Sequence, residues 1–502
     1  MEIYISEFSK YVIALLIALY TFECFAVFRY EDEEGRQGIY FRQSFWMFVL
    51  HFSCFVVICF EKKDISYLFF YAFAQIILYA VNVLYRMIYP KSNRLVVNNM
   101  CMLLGIGFVI LARLDIGKAV RQLIIVTVSL AVALLIPFFV HKFKFLKNLK
   151  WIYALAGIAA LSVVMILGQT TYGSKLSYSI AGLTFQPSEF VKILFVFFIA
   201  GALYEASGFF EVFTTAVVAA AHVITLVISK DLGSALIFFF VYVLTVFVAT
   251  GNYLYLLSGI VGGCGASYIA WQVFTHVQVR VQAWKDPWSV IDAEGYQITQ
   301  SLFAISSGSW FGLGLFKGTP QSIPFVETDF IFSAIAEELG NIFAVCLILI
   351  CVSCFIMFMN VAAKLRDKFY QLTAFGLGVT YIFQVFLTIG GGTKFIPLTG
   401  VTLPLISYGG SSVLTTLIMF AILEGLYIIH REEEESAKLA QARLMRAKAE
   451  SRRAPRKNAA RKRKPGRGSG RIREDKIPAD YEENAMEDTA FPEGDEIEDE
   501  EY

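Results

Sequence analysis

Of the chain's 502 residues, 57% are hydrophobic and 16% aromatic, and the mean hydropathy is +0.60, well outside the soluble globular range. The formal net charge of +1 conceals an asymmetry, because nearly all apolar residues precede residue 431 while 431–502 is almost unbroken polar sequence. A soluble enzyme and a disulfide-framed secreted domain are excluded; the class is an all-α polytopic membrane protein with a polar tail.

The first apolar stretch, Phe8 to Phe28, is long enough to span a bilayer and is followed by no small-residue cleavage site, so it reads as a retained helix and not as a signal peptide. Runs of comparable length predict further spans near 43–60, 66–88, 96–112, 119–140, 151–168, 189–206, 211–229, 234–250, 254–275, 330–359, 370–390 and 409–430, thirteen in all. The cysteines (Cys24, Cys54, Cys59, Cys101, Cys264, Cys346, Cys351, Cys354) nearly all fall inside these runs. Cys351 and Cys354 have redox-motif spacing but sit mid-span, so they read as small buried hydrophobes. The five histidines are scattered, and none pairs at metal spacing.

Lys and Arg in short loops set the orientation. The segments 141–150 (HKFKFLKNLK) and 362–368 (AAKLRDK) are the most basic, and span parity puts both on the same side as the tail. The predicted topology has that side cytoplasmic, residues 276–329 outside and the N-terminus outside. Arg113, Lys118 and Arg121 then lie on the outer side, against the rule.

Three outer segments stand out. Residues 170–189 and 276–329 are long for a compact bundle, and loops of that kind are usually functional. The longer one holds Trp284, Pro287, Trp288 and a glycine cluster from Gly308 to Gly318. Residues 390–412 are dense in Gly and Pro, and irregular backbone at membrane depth survives only where it lines a cavity or is buried in protein.

The longer loop ends in FVETDFIFSAIAEELG (325–340), with four carboxylates, Glu327, Asp329, Glu337 and Glu338, at the mouth of a predicted span. Two readings of Asp329 stand side by side. Thr328 could cap the following helix, with Asp329 favoured in its first turn by the helix dipole. Alternatively, partial desolvation at the membrane face raises the carboxylate toward a value useful for a general base. Glu337 and Glu338 lie deeper; as intramembrane acids they are functional candidates by default, bonding to a backbone break or to a basic partner accounts for them equally well, and the architectural reading is preferred. Lys192, three residues after Glu189, Arg280 at the start of the long loop and Lys394 in the Gly/Pro segment are either ion pairs between helices or, together, a cationic pocket for a lipid diphosphate. No phosphate-binding loop is present: GLGLFKG (312–318) lacks the spacing, and no Ser or Cys has a neighbouring His. Any chemistry is therefore acid–base and electrostatic.

The segments FQPSEFVKI (185–193), KDLGSAL (230–236), GYQITQSLFAISSG (295–308), TDFIFSAIAEELG (328–340) and PLTGVTLPLISYGGSS (397–412) resemble, in order, the motifs of SEDS proteins, the shape, elongation, division and sporulation family. The resemblance implies a ten-helix core over 96–430, with residues 1–95 a three-helix N-terminal extension. It implies a peptidoglycan glycosyltransferase that polymerises lipid II at the outer face of the bacterial cytoplasmic membrane, for elongation, division or sporulation. A class B penicillin-binding protein and other divisome or elongasome membrane proteins are the implied partners. Asp329 falls on the family's essential aspartate, and Gln186, Ser188, Glu189 and Lys192 on a segment of its site. Glu327 stands where many members have His, and Leu176 and Ser177 where many have Arg-Trp.

The mechanism so implied has Asp329 as base, with Lys192, Arg280 or Lys394 neutralising the leaving diphosphate; a divalent cation, Mg2+ or Mn2+, is the further candidate, and no organic cofactor is expected. On physics alone a flippase for a lipid-linked precursor would use the same acids and bases; a structural scaffold is the third reading. The tail, basic over 452–473 and acidic over 474–502, is expected to be disordered and cytoplasmic. Its basic block reads as facing anionic lipid and not nucleic acid.

Overall fold

The computed structural model describes residues 2–30, 33–171, 174–180, 183–205 and 208–461. Three N-terminal helices, α1 (Glu2–Ala26), α2 (Glu33–Lys62) and α3 (Ile65–Ile88), precede α4 (Arg94–Leu114). Then come α5 (Ile116–Ala133), α6 (Ile136–Lys142) and α7 (Lys150–Leu167). An antiparallel ribbon of β1 (Gln169–Thr171), β2 (Ser174–Ile180) and β3 (Leu183–Phe185) fills the outer loop expected there. Leu176 and Ser177 lie on β2.

Beyond the ribbon run α8 (Pro187–Leu203), α9 (Phe209–Ile228), α10 (Leu232–Thr250), α11 (Tyr253–Val273), α12 (Thr275–Lys285), α13 (Tyr296–Gly308), α14 (Ile331–Leu339), α15 (Asn341–Lys364), α16 (Lys368–Gly392) and α17 (Gly410–Arg461). Among the described residues, 12 spans are long and apolar enough to cross a membrane. The chain is a multi-pass membrane protein. The thirteenth expected span is α8, which has only 17 residues.

Short polar side chains punctuate the apolar runs. Asp64, Asn93, Asp115, Asp231, Asn252 and Asp367 each accept a backbone N–H at the start of α3, α4, α5, α10, α11 and α16, satisfying donors that lipid could not. Helix α4 is the axis of the bundle, buried from Leu95 to Arg113. Gly107 lets the 405–406 backbone approach so closely that a Cβ there would lie 2.8 Å from the Ile406 carbonyl oxygen.

Two expectations are corrected. The span predicted as one helix over 330–359 is two, α14 and α15, broken at Gly340 with φ +90°. A Cβ at Gly340 would lie 2.4 Å from the Gly312 nitrogen, so the glycine cluster between Gly308 and Gly318 packs into the break. The tail was expected to be disordered from 431, yet α17 continues to Arg461. Residues 431–461 are rich in Ala, Glu, Lys, Arg and Leu, strong helix formers that extend a helix already nucleated in the membrane. Residues 462–502, with most of the basic block and all of the acidic one, lie outside the described residues.

Candidate active site

The turn carrying Asp329 is built on a strained residue. Phe325 has φ +59°, a left-handed conformation costly for a bulky side chain. Its carbonyl accepts from the backbone N–H groups of Thr328 and Asp329 at 3.1 Å each and from the Thr328 hydroxyl at 3.1 Å. Thr328 is therefore spent on this turn and does not cap α14, which starts at Ile331 without a side-chain cap. Tyr408 N–H donates to the Glu327 carbonyl at 2.8 Å, and the Ser407 hydroxyl donates to the Thr328 carbonyl. The segment 397–412 thus holds the turn from the far side.

The half-buried Asp329 lines a pocket of about 520 Å³ together with Arg280, Glu294, Gln297, Leu398 and Gly400, a volume suited to a small polar ligand. Gly400 has φ +74°, and a Cβ there would stand 3.5 Å from Asp329 Oδ2, so the glycine leaves the carboxylate accessible. Burial raises the Asp329 carboxyl from 3.8 to about 6; the Thr328 hydroxyl and Arg280 oppose the rise, and Glu327 adds to it. Arg280 donates to the carbonyls of Leu398 and Thr399 at 3.1 Å each. Burial lowers its pKa, while Asp231 and Asp329 favour its charge; a guanidinium so held remains cationic. A base poised near neutrality beside a fixed cation is suited to proton abstraction with charge stabilisation.

The other predicted residues divide. Ser188 donates to Asp231 Oδ2 at 2.8 Å, and Gln186 donates to Ser188 at 3.1 Å and to Asp231 at 3.4 Å. Asp231 in turn favours the charge on Arg280 at the pocket. Lys192 is 2% exposed and donates to Glu189 at 2.7 Å and to Gln384 at 2.7 Å. Lys192 and Glu189 satisfy each other inside the bundle and do not line the pocket, because their i,i+3 spacing on α8 makes pairing the nearest solution. Lys394 has φ +59° and accepts from the Trp284 indole through its backbone carbonyl at 3.2 Å; its side chain is not part of the pocket lining either. Of the three cations proposed for a diphosphate, Arg280 alone stands at the pocket.

Glu294, Gln297 and Gly400 were not singled out from the sequence. Gln297 and Gly400 lie inside quoted motifs, 295–308 and 397–412, so position within a motif was the available signal. Two of the three cations expected on the outer side against the charge-orientation rule, Arg113 and Lys118, are paired. Arg113 donates to Glu338 through Nε at 2.9 Å and Nη2 at 2.6 Å, and Lys118 pairs with Glu327. Glu337 accepts from Thr319 N–H at 2.9 Å. Glu337 and, through Arg113, Glu338 fasten the glycine-rich segment 308–319 to α14.

No group of three or more His, Cys, Asp or Glu side chains that could hold a metal ion exists among the described residues. Glu327 is committed to Lys118, leaving Asp329 and Glu294 as the pocket carboxylates. Among the described residues, Asp329 and Glu294 would hold a divalent cation only together with the phosphates of a substrate, and no step is routed through one.

Residues 94–434 match the family model of FtsW, RodA and SpoVE cell-cycle proteins. The peptidoglycan glycosyltransferase RodA of Mycobacterium tuberculosis is 34% identical over 363 residues, covering 66% of this chain and 77% of that protein. The probable peptidoglycan glycosyltransferase FtsW of Aliivibrio salmonicida is 31% identical over 284 residues, covering 54% and 70%. Among solved structures, a chain of a peptidoglycan synthase complex that coordinates polymerization and crosslinking aligns with a TM-score of 0.58 at 26% identity, over 68% of this chain and 98% of that one. The rod-shape-determining protein RodA of Thermus thermophilus shares the fold, with a TM-score of 0.52 at 24% identity over 68% and 97%.

Proposed function

The chain belongs to the FtsW/RodA/SpoVE family of cell-cycle proteins and is a peptidoglycan glycosyltransferase; we propose that it polymerises lipid II with Asp329 as general base. The observation that supports this is Asp329 in the pocket, half-buried beside Arg280, its carboxyl raised to about 6. In the proposed reaction Asp329 takes the proton from the C4 hydroxyl of the acceptor GlcNAc. The oxygen attacks C1 of the donor MurNAc, the C1–O bond to undecaprenyl diphosphate breaks, and the configuration inverts. Arg280 stands where negative charge grows on the departing diphosphate. Glu294 and Gln297 are placed to accept from and donate to sugar hydroxyls.

The end of the bundle bearing this pocket is assigned to the outer face. Residues 113–118, 186–189, 230–231 and 394–409 gather there with the long loop, through Lys118–Glu327, Ser188–Asp231 and Arg280–Leu398. The opposite end carries His141 and Lys91, paired with Glu432 and Glu435 of α17. The clustering follows span parity, and the basic loop 141–150 assigns its end to the cytoplasm. Lipid II tethered at the outer surface then presents its sugars at the depth of Asp329. A class B penicillin-binding protein to crosslink the glycan, other membrane proteins of the elongation or division machinery and anionic lipid at the basic block complete the proposed surroundings.

The test is lipid II polymerisation by the purified protein, with and without a class B partner, comparing wild type with Asp329→Asn. Glycan strands from wild type alone support both enzyme and base. Equal product from both discards the residue, and lipid II crossing liposomes without polymer would move the case to a flippase.

A further inference from the structure

The family match begins at residue 94, and the pocket uses nothing from α1 to α3. Yet these helices are fixed to the core by buried polar contacts. Tyr20 donates to Asn99 at 2.8 Å, Asn99 donates to the Ser353 hydroxyl at 2.8 Å, and Asn98 donates to Gln43 at 3.1 Å. The exposed Arg42 donates to both oxygens of the buried Glu23, at 2.6 and 2.9 Å, tying α2 to α1. The buried Tyr20–Asn99 and Gln43–Asn98 contacts fix register as well as association.

At the outer end the extension touches the strap that follows α13. Lys317 of the strap pairs with Glu61 at 3.1 Å, Lys62 lies 4.9 Å from the Phe316 ring, and Tyr11 packs on Phe311 at 5.0 Å between centroids. The strap needs outside support, since Ser309 and Phe316 are non-glycine residues with φ +50° and +67°. On its inner side it is bolted to the end of α14. Leu313 and Gly314 donate to the carbonyls of Glu337 and Glu338 at 2.9 Å each, and Arg113, 4.5 Å from the Phe316 ring, donates to the Gly318 carbonyl at 3.2 Å. A Cβ on Gly312 would lie 2.2 Å from the Glu338 carbonyl oxygen, so strap and helix meet backbone to backbone with no slack. Helix α14 is nine residues, all buried, and two residues before it stands Asp329.

We infer that the N-terminal helices are a built-in brace for the catalytic aspartate, acting through Glu61, Lys62 and Tyr11 on the 309–318 strap and through the strap on α14. The inference rests on Asp329 being the base. Displacing the strap moves one end of a rigid helix of roughly 13 Å, and small misplacement of a reacting group costs rate out of proportion to stability. Glu61 and Lys317 are positioning residues; neither touches substrate.

The experiment measures lipid II polymerisation by the full chain as Glu61→Lys, Lys317→Glu, the double exchange and Asp329→Asn, with melting temperature alongside. Each single change is expected to lower kcat three- to tenfold with KM and melting temperature unchanged, and the double exchange to restore it within twofold. Singles at wild-type rate, or a double no better than the product of the singles, overturn the brace. If those variants run at full speed while Asp329→Asn is inactive, the base stands and the brace alone falls. An active Asp329→Asn removes the base and, with it, the brace's target.

Discussion

Replacing Asp329 with Asn retains the size and the turn while removing the base, and the structure predicts opposite effects on rate and stability. Positioned proton transfer contributes about 10²–10⁴-fold in rate, so turnover should fall by at least the lower figure. The carboxyl is raised from 3.8 to about 6 chiefly by burial, which means the folded state binds the proton more tightly than the unfolded one. That contribution to stability is complete below pH 3.8 and is lost as pH rises through about 6. At pH 7.5 the charged carboxylate thus opposes folding. A rise from 3.8 to about 6 amounts, at 1.36 kcal/mol per pH unit, to at most about 3 kcal/mol, reduced by screening through the open side of the pocket. The neutral amide does not bear this cost, so Asp329→Asn should melt at the same temperature or higher. The assay is fluorescent lipid II polymerisation in detergent with a parallel thermal melt. In wild type the rate should fall about tenfold from pH 7.5 to pH 5 as the base protonates. Substantial polymer from Asp329→Asn at any pH would refute the mechanism; a lower melting temperature would show the carboxylate to be structural.

Glu327→Gln removes a negative neighbour, so the acidic limb of the rate profile should move to lower pH by up to about one unit, while Lys118→Gln unmasks Glu327 and should move it upward. Parallel shifts in both variants would break that electrostatic argument. Gly400→Val adds a side chain at φ +74° facing Asp329; the conformation costs about 1–2 kcal/mol, and kcat should drop at least about tenfold through the blocked carboxylate. Arg113→Ala leaves Glu338 buried and unpaired, with an expected loss of about 3–5 kcal/mol read as a lower melting temperature, and the Arg113→Met, Glu338→Met double should be milder than either single. The same comparison for Lys192→Met with Glu189→Met tests whether that pair is structural: a double that regains stability and polymerisation would take Lys192 out of diphosphate binding.

The membrane class, the location of the spans and the position of Asp329 were legible in the sequence, because each rests on local physics. An apolar run of sufficient length spans whatever its neighbours are, and Asp and Asn at the run ends cap whichever helix follows. The motifs, being contiguous, also marked the segments that assemble the site. What tertiary structure decided is how the charges are partitioned. Lys192, Arg280 and Lys394 looked equivalent as outer cations, but Glu189 and Gln384 claim the first and the third turns its backbone inward, leaving Arg280 at the pocket. Arg113 and Lys118 looked misplaced until Glu338 and Glu327, more than 200 residues away, supplied their partners. The break at Gly340 was likewise invisible, since the strap that fills it comes from residues before α14. Pairing of charge and backbone approach depend on contacts between distant segments, and no local window of sequence contains both members of such a contact.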